Sequence, residues 1–516
     1  MKLKFVAALL AGSAICVSTP AVAQDPAAQE APDSTEPDSS DATADAAIAN
    51  AQAVDDAQAK IELLQAQVEA LQSSIEQIKT SMVKTTPSWK GAPQLDDKEA
   101  GFSFKPKGLL QYDAGYVGFP NGDERRGTVA GLNFGNLGWN TRARRLNIGA
   151  DGTLPGGFRY SVEFNFAQAA VDYEDVLLAY DFNNSPLTAQ VGYFYPFASL
   201  DTMTSSKYTS FMERAGFTDA FSHNRRIGAA LTATDKANDK WTFQAGLFSE
   251  EMNDNPASFQ RTGWIAAARG VFSPTLGNVR LHLGASFEHR QNRREAQSRN
   301  YQVRPMTQVT DQRFISTGAI SAKGDDIAGL EVAAIMKSFH VAAEAQKAWV
   351  RGVYSPAEQA AILADLTTNT TPNGTPYNGN PSFWGGYVEA GFYLTGETRA
   401  YKGGSFGRVK VLHPFNDGGW GAFQLNGRVD YVNLSDRVDG SSASLAAPFY
   451  VNGGKQVAYQ LSGIWNPTDY LRFMAQYSHI NVTGGARNSL SDDLSDPANK
   501  RELDSDVLAM RAQVDF

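Results

Sequence analysis

The arginines of this sequence occur in clusters, and they are the residues best suited to bind a solute. Arg142, Arg144 and Arg145 begin one strand-like stretch, Arg225 and Arg226 begin another, and Arg290, Arg293, Arg294, Arg299 and Arg304 crowd a third region. A guanidinium group stays charged and bonds two oxygens at once, so these clusters suit phosphate and related anions. Adjacent strand residues face opposite ways, so Arg144 and Arg145 can share one face only at a β-bulge or outside a regular strand. The alternative interpretation is an arginine-rich wall that selects no solute.

The sequence shows no pattern typical of catalysis or of metal binding. Its six histidines have no metal-ligand spacing, and there is no nucleophile elbow or phosphate-binding glycine loop. The acidic residues Asp492, Asp493 and Asp496 lack the ligand spacing of a calcium-binding loop. The single cysteine, Cys16, lies in an N-terminal apolar stretch, which leaves no thiol ligand elsewhere. We therefore expect neither an enzyme nor a bound metal or cofactor.

The elements that must position these arginines alternate apolar and polar residues, as β-strands with two different faces do. Phe158, Tyr160, Val162, Phe164 and Phe166 alternate with Arg159, Ser161, Glu163 and Asn165, and Leu508, Met510, Ala512, Val514 and Phe516 alternate with Ala509, Arg511, Gln513 and Asp515. After the first 23 residues no run of 18 apolar residues occurs, so no membrane helix is expected. Strands of a transmembrane barrel need only about ten residues each, which suits the mean hydropathy of −0.33.

Residues 101–516 are predicted to form an all-β fold, a 16-stranded antiparallel transmembrane β-barrel with an aqueous lumen. Its last strand is expected to pair with its first, so that no edge remains and lipid covers the apolar face. The stretch from Asn466 to Asp469 predicts a tight hairpin turn, whereas other connections are long and polar. The aromatic segment at about 195–224 lacks strand alternation and is expected to fold into the lumen as a constriction. A soluble β-sandwich is the alternative fold.

The residues that precede the barrel begin with an export signal and a charged segment. Residues 1–23 carry two lysines, an apolar stretch and a small-x-small pattern, which indicates a removable signal peptide, and a lipoprotein cleaved at Cys16 fits less well. Residues 24–56 are rich in Ala, Pro, Asp and Ser without aromatics, which predicts a disordered acidic linker. Residues 24–59 hold nine acidic and no basic side chains, so the net charge of −9 belongs mostly to this segment and identifies no solute.

A short coiled-coil helix is predicted at residues 57–86, followed by a linker at 87–100. Ile61, Leu64, Val68, Leu71, Ile75, Ile78 and Met82 follow alternating steps of three and four, as the a and d positions of a heptad repeat do. The identity of these residues leaves dimer and trimer open. A lone amphipathic helix is the alternative interpretation.

Four blocks of the sequence resemble successive blocks of the phosphate-selective porin O and P family, in order and in spacing. They are TRARRLNIGADGTLPGGFRYSVEFNF, VGYFYPFASLDTMTSSKYTSFMERA, LFSEEMND and GGYVEAGFYLTGETRAYK. The resemblance covers essentially all of 101–516, and its most specific part is the stretch Thr204 to Lys207 together with Glu213 and Arg214. It implies a trimeric 16-stranded porin whose third loop folds inward to form an anion-binding constriction.

The resemblance also implies roles for individual residues. Arg144 and Arg145 match the paired arginines of the narrow site, Lys207 matches the basic residue of the loop, Lys105 matches a basic residue near the start of the barrel, and Arg304 matches one rung of an arginine ladder. We add Arg159, on the polar face of its strand, as a sixth substrate-binding candidate. Departures from the family pattern are Gln302 and Met306 in place of further rungs, Phe197 in place of a carboxylate, and Tyr193 and Thr202 in place of basic residues. A ladder with fewer basic residues is expected to bind anions more weakly.

These observations together predict an outer-membrane porin of a Gram-negative bacterium. We expect passive diffusion of small anions, phosphate or polyphosphate first, through an arginine-lined constriction. The alternatives are a general small-solute porin without phosphate preference and a barrel-anchored coiled-coil tether of the envelope. Expected partners are outer-membrane lipid, two further copies in a homotrimer, and the cell wall through a periplasmic N-terminal helix. No nucleic acid is expected.

Overall fold

The computed structural model describes most of the chain in two compact units. The described residues are 42–85, 88–89, 91–97, 99–118, 137–167, 171–249, 263–293, 297–352, 380–436, 451–485 and 502–516. One unit extends to Thr80 and the other runs from Ser81 to Phe516. The signal peptide predicted at 1–23 lies outside the described residues. No helix among the described residues is long and apolar enough to cross a membrane.

The first unit contains most of one long helix, α1, which spans Ala42–Thr85. It begins inside the segment 24–56 that the sequence predicts to be linker, because the stretch ATADAAIANAQAVDDA is rich in alanine, the residue with the highest helix propensity. The remaining part of that linker prediction lies outside the described residues. Along α1 the predicted seam residues Ile61, Leu64 and Val68 are 54%, 58% and 50% exposed within the single chain.

The second unit is built from sixteen long strands in one sheet. They are β1 (Phe102–Val117), β2 (Gly138–Leu154), β3 (Phe158–Asn165), β4 (Asp172–Asp181), β5 (Leu187–Phe194), β6 (Arg226–Thr234), β7 (Trp241–Phe248), β8 (Trp264–Phe272), β9 (Val279–Gln291), β10 (Gly324–Met336), β11 (Phe339–Arg351), β12 (Ser382–Tyr393), β13 (Ala422–Asp436), β14 (Val451–Thr468), β15 (Leu471–Thr483) and β16 (Glu502–Asp515). Six short pairings among the described residues involve Ser88–Trp89 with Pro93–Asp97, Pro93–Asp97 with β1, Thr275–Leu276 with β9, Ser298–Arg299 with Ile320–Ser321, Gln302–Val303 with Ile315–Ser316, and Tyr401–Lys402 with Ser405–Phe406.

The sheet closes on itself, which confirms the predicted antiparallel barrel of sixteen strands. Each strand pairs with the next along the chain, and β16 pairs with β1 from Val507 opposite Val117 to Asp515 opposite Leu109. The last residue is part of this closure, because Phe516 and Gly108 exchange backbone hydrogen bonds of 3.2 and 3.1 Å. A side chain on Gly108 would collide with the ring of Phe516. No strand edge is left to pair with another chain between β1 and β16.

The two faces of the strands differ as the alternation predicts. On β16, Leu508 and Met510 are more than half exposed, whereas Arg511 and Gln513 are 2% and 1% exposed. The exposed face is therefore apolar and faces outward, and the polar face points into the barrel. The same assignment holds for β15, where Phe473 and Tyr477 lie outside.

Short turns gather at one end of the barrel and long connections at the other. The hairpin predicted near Asn466 is present, since β14 and β15 are separated only by Asp469 and Tyr470. One connection at the short-turn end is long, namely residues 394–421 between β12 and β13, and we name it the turn segment. The long connections that lie within the described residues are loop A, residues 195–225, and loop B, residues 297–323.

Loop A, loop B and the turn segment all fold into the barrel. Loop A carries two short helices, α2 (Leu200–Met203), capped by the hydroxyl of Ser199, and α3 (Gly216–Phe221). Backbone N–H groups of Asp201, Met212 and Gly216 donate to side chains on the inner faces of β11, β15 and β13. Buried apolar residues of both loops form one cluster with the inner wall, and its members include Leu200, Phe217, Phe221, Tyr301, Val303, Phe314, Ile315, Phe383 and Val432.

Candidate functional site

A cavity inside the barrel lies between loop A, loop B and the inner faces of β1 to β5. It encloses about 870 Å3. Four of the six residues proposed from the sequence line it, namely Arg144, Arg145, Lys207 and Arg304. Tyr193, Phe197 and Thr202, which depart from the family pattern, line it as well.

A β-bulge brings the paired arginines to the same cavity. Gln111 on β1 pairs with Arg145 on β2, but the next residue, Tyr112, pairs with Ala143. Arg144 is therefore an extra residue without a partner in the ladder, which reorients its side chain. From the sequence we expected that both arginines could share the lumen only at a bulge or outside a regular strand, and the bulge is present.

Arg144 takes part in an ion-pair network that joins loop A to the barrel wall. It donates to both carboxylate oxygens of Glu213 at 3.1 and 3.2 Å. Arg511 on β16 also donates to Glu213 at 2.7 Å, and it binds Asp113 on β1 through two bonds of 2.6 and 2.7 Å. Burial opposes ionisation of Glu213, but Arg144 and Arg511 outweigh it and hold the pKa of this carboxyl well below its usual range.

Arg145 differs from Arg144 because it has no carboxylate partner among the described residues. Its guanidinium group donates to the side-chain oxygen of Gln111 at 2.7 Å. Gln111 is itself oriented by Gln513, whose oxygen accepts at 2.8 Å. A buried positive charge that bonds only neutral groups retains its attraction for a solute anion.

Lys207 lies at the tip of loop A, where the backbone turns back on itself. The N–H of Tyr208 donates to the carbonyl of Ser205 at 2.9 Å, and the Lys207 carbonyl accepts from Arg472 at 2.7 Å. Burial lowers the pKa of the Lys207 amine below its usual range. Its amine has no carboxylate partner among the described residues, in contrast to Lys107, which binds Asp151 at 2.7 Å and Glu163 at 3.0 Å.

Arg304 reaches the cavity from loop B and is paired with a carboxylate there. Its guanidinium group bonds Asp219 of loop A at 3.2 Å, and its backbone N–H donates to the same carboxylate at 2.8 Å. Arg313 bonds Asp219 as well, at 3.2 Å. The ladder rung implied by the resemblance is thus one of two arginines that share a carboxylate.

Lys105 and Arg159 are not brought into this group. Lys105 lies on β1 one alternation step before Lys107, and Lys107 is the one that lines the cavity. Arg159 lies next to the turn between β2 and β3 and is about half exposed, with its side chain paired to Asp181. Neither residue lines the cavity, so their proposed binding roles have no geometric support among the described residues.

Residues that sequence reasoning left out of the site change its electrostatic character. The basic side chains that line the cavity are Lys107, Arg144, Arg145, Lys207, Arg214, Arg225 and Arg304, and the acidic ones are Asp151, Glu163, Asp172, Glu174, Asp175, Glu213 and Asp219. Their number is equal, so the cavity is not simply cationic. Five of the acidic residues lie on strands β2 to β4, and Glu213 and Asp219 lie on loop A, where no motif signals a role in the site.

Arg214 and Arg225, which the sequence analysis named but did not assign to the binding site, flank an aromatic ring at the edge of loop A. Arg225 binds Asp175 at 2.6 Å and lies 4.3 Å from the ring centre of Tyr195. Arg214 lies 5.6 Å from the same ring and donates to the carbonyls of Asp201, Thr202 and Thr204. The pairing of Arg225 with a carboxylate leaves Arg145, Lys207 and Arg214 as cations of the cavity without a carboxylate contact in the described part of the chain.

Comparisons with known proteins agree with this architecture. The model of the family "Phosphate-selective porin O and P" matches residues 118–516. An uncharacterized protein of Caulobacter vibrioides is 34% identical over 437 residues, which cover 83% of this chain and 77% of that protein.

Solved structures that are similar to this chain include outer-membrane channels at low identity. The trimer form of OmpT from Vibrio cholerae has a TM-score of 0.44 and 10% identity, and it covers 81% of this chain and 100% of that chain. The outer membrane channel DcaP of Acinetobacter baumannii has a TM-score of 0.43 and 12% identity, and it covers 81% of this chain and 98% of that chain. Such low identity transfers no solute preference to this protein.

Proposed function

We propose, from the premise that this chain belongs to the phosphate-selective porin O and P family, that it passes small anions through the cavity lined by Arg144, Arg145 and Lys207. Family membership makes it an outer-membrane porin, a channel rather than an enzyme. Phosphate is the first candidate solute and polyphosphate the second. The mechanism is passive diffusion, in which a solute exchanges part of its hydration for guanidinium and amine donors.

The observation that carries this proposal is the set of cations without a carboxylate partner. Arg145, Lys207 and Arg214 line the cavity, and their donors bond neutral oxygens or none at all. Cations fixed by the wall attract an anion without first having to leave a salt bridge. Arg144 and Arg304 contribute less, because each already forms an ion pair, with Glu213 and Asp219 respectively.

A second candidate function is a general porin without phosphate preference. The equal number of acidic and basic side chains in the cavity favours it, because carboxylates repel a multiply charged anion. Small neutral or weakly charged solutes are indifferent to such a mixed lining. The two candidates share the same path and differ only in the charge that the path prefers.

Reversal potentials in planar bilayers separate the two candidates. In a gradient of potassium chloride the wild-type channel should prefer the anion, and added phosphate should reduce the current. Arg145→Gln should lower the anion preference severalfold, because the removed charge has no carboxylate to offset it. Arg159→Gln, which removes one positive charge at the rim, is the matched control and should leave the potential unchanged. A cation preference, or no phosphate block, supports the general porin.

The N-terminal segments belong to this proposal too. We propose that export removes residues 1–23, that a helix follows in the periplasm, and that three copies assemble through it around a common axis. The exposed seam of Ile61, Leu64 and Val68 supports a helix that packs on other copies, since an apolar face of this size gains from burial. A contact of the same helix with the cell wall, or a main role as envelope tether, is the third candidate.

Substitutions on the helix test assembly without touching the barrel. Leu64→Asp with Leu71→Asp should loosen the trimer on native gels, because both residues lie on the seam. Ala66→Asp with Ser73→Asp adds the same charge away from the seam and serves as control. Deletion of residues 24–86 should give the same loss of trimer, or a loss of envelope attachment. Full conductance of the barrel after that deletion supports the porin and contradicts a protein that serves only as an envelope tether.

A further inference from the structure

A second, much smaller cavity lies on the other side of Lys207, under the tip of loop A. Its volume is about 20 Å3, enough for one particle of about the size of a water molecule. Lys207 from loop A, Arg399 and Arg408 from the turn segment and Arg472 from β15 supply four positive charges. Asp469 and Asp515 supply two negative charges. The lining therefore carries an excess of positive charge.

Three buried donors at this cavity lack partners among the described residues. They are the hydroxyl of Tyr393 and the Nε–H groups of Arg399 and Arg472. The three side chains are only 1%, 4% and 6% exposed, so solvent does not satisfy them. An unpaired buried donor destabilises the protein, and three of them on residues that line one cavity indicate an occupant that accepts hydrogen bonds.

Neither arginine has a carboxylate at ion-pair distance among the described residues. Arg399 is the strongest repulsive charge that acts on Arg472. The other donors of Arg399 bond the carbonyl of Tyr208 at 2.7 Å and the hydroxyl of Ser210 at 3.1 Å, and Arg472 bonds the carbonyls of Lys207 and Thr209. Asp515 is engaged by Arg408 instead. An anion between the two guanidinium groups offsets their repulsion.

From these observations we propose that a single chloride ion occupies the cavity between Tyr393, Arg399 and Arg472. A water molecule accepts only two hydrogen bonds and must donate two, whereas a halide accepts from all three donors and supplies the missing negative charge. The proposal concerns a bound structural ion and does not depend on which solute crosses the larger cavity.

The ion has a consequence for the channel, because both arginines hold the tip of loop A. Between them they bond the backbone from Lys207 to Thr209, and Lys207 lines the large cavity as well. A chloride that fixes Arg399 and Arg472 therefore fixes the position of the Lys207 amine at the constriction. Loss of the ion lets the two arginines move apart and frees the tip.

Bromide in place of chloride tests the site directly. Crystals of the whole chain grown in sodium bromide should show an anomalous peak between Tyr393, Arg399 and Arg472. The peak should be lost in Arg472→Gln and weakened in Tyr393→Phe, which keeps every charge and serves if the arginine variant does not fold. A cavity without an anomalous peak, or a peak that persists unchanged in Tyr393→Phe and in Arg472→Gln, overturns the proposal.

A second measurement keeps the test independent of crystals. At constant ionic strength, thermal unfolding in detergent should occur about 2 °C higher in chloride than in gluconate, which is too large for the cavity. Tyr393→Phe should reduce this difference by half or more, and Arg159→Gln should leave it intact. Equal unfolding temperatures of the wild-type chain in the two salts contradict the proposal.

Discussion

The two sides of the barrel interior are built from the same alternating strands but do opposite things. Along β1 to β5 the polar inner face borders the cavity of about 870 Å3, and Arg145 on this face has no carboxylate partner among the described residues. Along β8 to β13 the polar inner face is packed under loop A and the turn segment, and several of its charges form buried ion pairs. Arg269 binds Glu331 at 2.9 and 2.6 Å there, and Arg428 binds Glu389 at 2.9 Å.

The lumen of the barrel is therefore part channel and part protein core. On the packed side a charge must find a partner within the protein, because water does not reach it. On the open side an unpaired charge remains solvated and available to a solute. An arginine on a strand therefore has a structural role where loops cover it and a functional role where it borders the open cavity.

The largest expected effect follows from breaking an ion pair on the packed side. Arg269→Met leaves Glu331, which is 1% exposed, with only His282 at 3.0 Å. We expect a loss of about 3–5 kcal/mol in the free energy of unfolding, measured by urea denaturation in detergent. The double variant Arg269→Met with Glu331→Met removes both charges and should recover much of that loss. A single variant as stable as the wild type contradicts a core on this side.

A smaller effect is expected at the border of the two sides, where Glu213 joins loop A to Arg144 and Arg511. Because these arginines hold its pKa below the ordinary value of 4.5, its contribution is complete above that pH and is lost as the pH falls through the lowered pKa. We expect Glu213→Gln to cost about 2 kcal/mol at neutral pH. The difference between wild type and variant should shrink below about pH 4.5. A difference that grows on acidification contradicts the assignment.

The smallest effect is expected at the rim, outside both regions. The ion pair of Arg159 with Asp181 is 48% and 33% exposed, so solvent screens it. Arg159→Gln should change the free energy of unfolding by less than about 1 kcal/mol. A larger loss of stability, measured in the same urea titration, means that the rim belongs with the packed side.

Much of the fold was predictable because its signal is local. The alternation of residues such as Leu508 and Arg511 assigned the two faces, and the condition of a bulge at Arg144 came from strand geometry alone. The long helix was predicted too short at its start, since heptad spacing identifies a seam but not the extent of an alanine-rich helix. The turn segment gave no signal that it enters the barrel, because burial of a connection depends on what surrounds it.

The candidate site was predictable only in part, for a related reason. Sequence spacing and resemblance proposed Arg144, Arg145, Lys207 and Arg304, and the structure places all four around one cavity. The carboxylates that neutralise two of them, Glu213 and Asp219, were not proposed. They lie on loop A, far along the chain from the strands and loop that they meet, so no short motif contains both partners.

The sequence is enough to predict that this chain closes into a barrel. Apolar and polar residues alternate within each strand, and this local alternation fixes which side chains face lipid. Which arginines remain without a carboxylate partner depends on the tertiary structure. That outcome depends on contacts between residues as distant as Asp113 and Arg511, whose side chains lie 2.6 Å apart across the closing strands. A pair of this kind has no spacing in the sequence from which it could be inferred.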